Sequence, residues 1–203
     1  ENSTTFTASD VTVTGGTLSG FAGSGSVYTA VFTPTASSTT PGNVSVAAAQ
    51  FTDIAGNGNV AGALASPITI DTVRPTILIE SSKSTLKTSE TATITFTLSE
   101  NSANFSAGDL TATGGTLSGF TGSGSAYSVV FTPAASFEGS GQIFLASSTF
   151  TDAAGNDNLP SLVLTIPIDT LAPTITIATG KSSLSASDTA TITFTLSENS
   201  TTF

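Results

Sequence analysis

Two short runs, FTDIAGNGN at 51–59 and FTDAAGNDN at 150–158, gather oxygen ligands in a chain of which only 9% is charged. Each joins a carboxylate to a glycine and side-chain amides, and neither has a helical or strand period. Asp152, Asn156, Asp157 and Asn158 in one loop form a donor set for a hard cation, because such ions take six to eight oxygens at once. Gly155 leaves the backbone free to wrap around an ion. The D-x-x-x-N-x-N spacing departs from the EF-hand, which places oxygens at alternate positions and a Glu further on. A plainer use of the same residues is a turn closed by Asp152 and Asn156 through side-chain to backbone hydrogen bonds.

The elements that position these loops emerge from a repeat. TVTGGTLSGFAGSGSVYTAVFTP (12–34) recurs as TATGGTLSGFTGSGSAYSVVFTP (111–133), and SETATITFTLSENSANF (89–105) recurs as SDTATITFTLSENSTTF (187–203). Glu1, Glu100 and Glu198 mark a period of 99 and then 98 residues, the size of a small domain. The sequence therefore divides into a partial repeat at 1–71, a complete one at 72–169 and the first strands of another at 170–203. ENSTTF both opens and closes it, as a window onto a longer array would. A sharper reading is that a second copy supplies the missing strands head to tail.

In TATITFTL, Ala92, Ile94, Phe96 and Leu98 alternate with threonines, the period of a half-buried strand. Similar patterns predict strands near 75–80, 91–99, 109–114, 126–132, 142–150 and 162–168, and a weaker one at 116–120. A slip in the alternation of QIFLASSTF predicts a bulge before Phe150, and GSGS at 122–125 reads as a hairpin turn. Seven short strands per hundred residues describe an immunoglobulin-like antiparallel β-sandwich, so the fold class is all-β, in tandem domains. The core is expected to hold Ile94, Phe96, Leu98, Phe131, Phe150 and Ile166.

Immunoglobulin strand order puts the loop SENSANF (99–105), the loop TDAAGNDN and the incoming linker DTVRPT (71–76) at one end of the domain. Asp71, Glu100, Asp152 and Asp157 then converge, joined by the amides of Asn101, Asn156 and Asn158. Ionised at neutral pH, these acids repel one another, and Arg74, Lys83 and Lys87 are too few to neutralise them densely. Oxygen-only ligation without His or Cys favours Ca2+ over zinc or copper. Asp10 and Asp109, matched between repeats, read instead as caps of strand starts.

The wider composition narrows function. Fourteen acidic residues against 4 basic ones give a net charge of −10, which repels nucleic acid and anionic membranes. No run has the length of a membrane span. With no His or Cys, the usual general base and the strongest nucleophile are missing, so the chain does not read as an enzyme. A carbohydrate-binding sandwich usually offers exposed aromatics, whereas here there is no Trp and Tyr28 and Tyr127 read as core or rim.

The string DTxxPT, TATITFTLSE, TGGTLSGF, YxxVFTP, FTDxAGNxN resembles the bacterial immunoglobulin-like repeats of large repetitive surface adhesins, including the extender regions of RTX-type biofilm adhesins. That resemblance covers the whole chain. It implies secretion, anchoring at a bacterial cell surface, calcium-stiffened domain junctions and a role as extender between neighbouring repeats. It also extends the ligand set to Asp169 as linker acid, to Glu1 and Glu198, and to Asp53, Asn57 and Asn59. Gly58 stands where the next repeat has Asp157, a departure from a uniform set.

Overall fold

The computed structural model describes residues 1–199; residues 200–203, the end of the second ENSTTF copy, lie outside the described residues. The partial first repeat carries β1 (Val11–Thr14), β2 (Gly16–Ser24), β3 (Val27–Pro34), β4 (Asn43–Val46) and β5 (Gly62–Ala63). The complete repeat carries β6 (Ile77–Ser81), β7 (Leu86–Lys87), β8 (Ala92–Ser102), β9 (Thr111–Thr113), β10 (Gly115–Pro133), β11 (Glu138–Phe144) and β12 (Leu164–Asp169). The third holds β13 (Ile175–Thr179) and β14 (Ile192–Leu196).

Alternation along β8 settles the complete repeat. Its apolar face, from Ala92 to Leu98, is at most 3% exposed while the intervening threonines face out. One sheet has the order β10-β8-β6 and the other β7-β12-β11-β9. Between them lie Phe96, Phe131, Phe150, Ile94, Ile143 and Ile166, each 0–1% exposed, so all six expected core residues (Leu98 at 3%) are buried. Phe105 sits at the centre, its ring 4.9 Å from Tyr127 and 5.1 Å from Phe150. The sandwich is antiparallel except where β7 runs parallel to β12, a two-residue strand too short to show a period in the sequence.

β10 is a hairpin in one continuous run. Ala134 N donates to Gly114 O, and a Cβ on Gly115 would stand 2.4 Å from the Thr132 carbonyl, which only glycine permits. Gly124, at φ +66, makes the turn that GSGS predicts, and its pairing to β8 shifts register between Gly124 and Ala126. The strand expected at 142–150 ends instead at Phe144, and no bulge precedes Phe150. The buried Asn158 captures the N–H groups of Thr149 and Phe150 at 2.8 and 3.0 Å, replacing the ladder with a turn. SENSANF is likewise not all loop, because β8 continues to Ser102 and carries Glu100 and Asn101 on its end. Asp109 caps the short turn before β9, accepting from Ser106 N at 2.7 Å, and Asp10 does the same for Thr7.

Truncating Phe96 to Ala removes a fully enclosed ring and should destabilise the complete repeat by about 3–5 kcal/mol. Chemical denaturation followed by circular dichroism reads this as a shifted midpoint. The same change at Leu78, 56% exposed, should cost under about 1 kcal/mol.

Candidate metal centre

The linker between the first two repeats is held from both sides. Thr72 belongs to the first repeat: its hydroxyl donates to Thr35 O at 2.7 Å, and its N–H donates to Ser38 O at 3.0 Å. Arg74 and Pro75 belong to the second. The Arg74 guanidinium donates to the carbonyls of Asp157 and Asn158 at 2.8 and 2.9 Å, and Leu159 N donates to Pro75 O at 2.9 Å. Val73 alone lies between these anchors, and its N–H donates to Asp71 Oδ1 at 3.1 Å. Arg74, one of the three nearby cations that the sequence shows as too few to neutralise the acids, is thus a clamp on two carbonyls.

Asp71 projects from this linker toward the end of β8 and the 151–158 loop. Ligand oxygens of Asp71, Glu100 and Asp152 all lie within 4.8 Å of one another. Asp152 is 6% exposed, and its loop wraps it: Asn156 N donates to Oδ1 at 2.8 Å and Asn156 Nδ2 to Oδ2 at 2.7 Å. The same Nδ2 reaches Asp71 O at 3.1 Å, tying loop to linker. The turn reading and the convergence of acids therefore describe the same residues.

Other members of the expected set stand elsewhere. Asn158 is fully buried and its amide is used inside the loop, Nδ2 donating to Ala146 O and Leu159 O while Oδ1 takes Thr149 and Phe150. Asn59 repeats that bonding with Ala47, Val60, Gln50 and Phe51, so both asparagines shape the turn. Asp157 is exposed and meets Arg74 through its carbonyl, and Asn101 lies over Gly124. In the first repeat Asp53 is held by Asn57 as Asp152 is by Asn156, and Glu1 stands beside it. Asp169 ends β12 and accepts from Leu171 N at 3.2 Å, while Glu198 is exposed beyond β14. Among the described residues, no further trio of this kind forms.

Electrostatics separate the members. Burial, then the charges of Asp152 and Asp71, raise the Glu100 carboxyl above its ordinary value. Burial also pushes Asp152 up, but the amide and backbone N–H groups of Asn156 and those of Gly155 and Ala154 outweigh it and hold Asp152 low. Asp53, with Asn57 as its main partner, is lowered to about 2. A raised carboxyl favours the folded chain only while it is protonated; that contribution fades as pH rises through its folded-state value. The ion pairs among the described residues, Lys83 with Glu90 and Lys181 with Asp188, lie outside the trio. Like charges this close repel, which disfavours having all three carboxyl groups ionised at once.

A family model described as bacterial Ig-like domain matches residues 1–70, 71–166 and 169–203, three tandem copies. No curated protein and no solved structure matches the chain. No helix among the described residues is long and apolar enough to cross a membrane.

Removing one charge of the trio while keeping its shape should stabilise the metal-free chain. For Glu100→Gln in chelator at pH 7, the unfolding temperature of the complete repeat should rise by about 2–6 °C; a fall, or no change, would show that the carboxylates do not strain one another.

Proposed function

The chain belongs to the bacterial Ig-like domain family, and on that premise we propose that its repeats form an extracellular extender at a bacterial surface whose junctions are stiffened by Ca2+. The observation that carries this reading is the trio itself, because its members come from two mechanical parts. Asp71 adjoins Thr72, which is bonded to the first repeat, and its carbonyl is tied to the second by Asn156, while Glu100 and Asp152 belong to the second. Three oxygen carboxylates without a protein cation among them fit a hard divalent ion better than a soft one. When bound, such an ion neutralises the trio and joins linker to loop.

The chain's own groups prepare that role. Asn156 fixes both oxygens of Asp152 and keeps the loop against the Asp71 carbonyl. Arg74 restrains the linker through neutral carbonyls and leaves the acids unpaired with it. Asp71 is in turn positioned by its bond from Val73 N. A cation favours the junction angle at which these oxygens converge, since a ligand shifts an equilibrium by its differential affinity for the two states. Stiff junctions between sandwich domains suit an extender that holds a distal binding domain away from a surface.

Small-angle scattering of this chain in calcium and in chelator tests the reading. Calcium should increase the maximum dimension and reduce flexibility for the native chain, and should leave Asp152→Ala unchanged. Identical profiles with and without calcium would rule out the stiffening.

A further inference from the structure

We propose that Asn57 and Gly58 form a self-modification site, at which water converts the Asn57 amide to an aspartate or its isoaspartyl isomer. Asn57–Gly58 is the one Asn–Gly step in the sequence, and the matching step in the complete repeat is Asn156–Asp157. The two loops are otherwise built alike. Asn57 N donates to Asp53 Oδ1 and its Nδ2 to Oδ2, both at 2.8 Å, as Asn156 does to Asp152 at 2.8 and 2.7 Å. They differ in the residue whose nitrogen follows the amide.

The turn does not require glycine at 58. Gly58 lies outside the left-handed region, and a Cβ there would meet Ala49 at 3.4–3.5 Å, an ordinary contact. Gly56, at φ +87, is the glycine on which the turn depends. What glycine at 58 does is leave its own nitrogen unshielded by a side chain. That nitrogen also stands outside the pairing, because the Thr52–Gly58 bridge is closed by its neighbours, Asn59 N on Phe51 O and Asp53 N on Asn57 O. Asn57 and Gly58 are both exposed. The position is open even under a docked linker, since the equivalent Asp157 is exposed while Arg74 holds its carbonyl. Opening the loop for attack takes only the release of the Asn57 amide from Asp53, a local event at the surface.

The Gly58 nitrogen gives its proton to solvent base and bonds to the side-chain carbonyl carbon of Asn57. The bond from that carbon to Nδ2 breaks, Nδ2 leaves as ammonia, and a five-membered succinimide remains. Water then opens the ring. Breaking the bond from the Gly58 nitrogen to the side-chain carbon leaves aspartate, and breaking the bond to the main-chain carbon leaves isoaspartate. One water enters and one ammonia departs, with no oxidant or reductant. Either product removes the Nδ2 donor from Asp53. Aspartate sets a second carboxylate against the Asp53 carboxylate, and isoaspartate lengthens the main chain inside the turn that Asp53 N and Asn57 O close at 3.1 Å. Because the ammonia is lost to solvent, the change runs one way, and the first loop ages faster than its twin. No metal takes part, which separates this inference from the calcium reading.

The test is to age the folded chain in mildly alkaline chelator buffer made with heavy-oxygen water, and to map its peptides by mass spectrometry at intervals. Isoaspartate should accumulate at position 57 with one heavy oxygen incorporated, at least about tenfold faster than at Asn156, a barrier difference of about 1.4 kcal/mol. Gly58→Asp, which gives the first loop the residue of the second, should slow conversion at 57 to the Asn156 rate. Circular dichroism verifies that this variant folds, and the comparison of Asn57 with Asn156 in the native chain stands without it. An intact Asn57, equal rates at Asn57 and Asn156, or a folded Gly58→Asp chain converting as fast as the native one would overturn the proposal.

Discussion

Everything about the junction depends on one residue being caught between two anchors. Val73 lies between Thr72, bonded to the first repeat, and Arg74, bonded to the second, and the second repeat also reaches back to the Asp71 carbonyl through Asn156. A linker this short leaves little freedom to average charges apart. Asp71 lies against Glu100 and Asp152, with ligand oxygens of all three within 4.8 Å of one another. Geometry thus places three carboxyl groups side by side, held by hydrogen bonds from neutral groups, and in the function proposed above an ion that relieved this crowding would gain leverage over the angle between domains.

The same economy explains the loop. Asn158 spends its whole amide on building the turn, and Asn156 spends its own on fixing Asp152 and holding Asp71 O. One asparagine makes the backbone shape and the other aims a carboxylate, which is why both recur in the first repeat at 57 and 59. The sandwich supplies the platform: β8 is buried along its apolar face and carries Glu100 on its end, so the position of that acid is set by the core.

Much of this was legible from residue order. Strict alternation in TATITFTL locates β8 and its buried face, and strand order puts Asp71, Glu100 and Asp152 at one end of the domain. What escaped depended on contacts between distant segments. The end of the 142–150 strand is decided by Asn158, whose side chain reaches back to Thr149 and Phe150 across the loop. Arg74's partners are backbone carbonyls, which leave no sequence pattern. β7 is two residues long and pairs in parallel with β12, below the length at which a period can be read. Which acids of the loop come together is decided by the fold: Asp152 lies with Asp71 and Glu100, while Asp157 meets the linker through its carbonyl.

The central claim is that the junction acids hold a divalent cation in common, and titration calorimetry with calcium is its most direct test. The native chain should show saturable binding near the roughly 10⁻⁴–10⁻³ M range of extracellular calcium modules, and Asp71→Asn should weaken it about tenfold, or by about 1.4 kcal/mol. No saturable binding by about 10 mM calcium, well above that range, or an affinity indifferent to Asp71, would contradict the account.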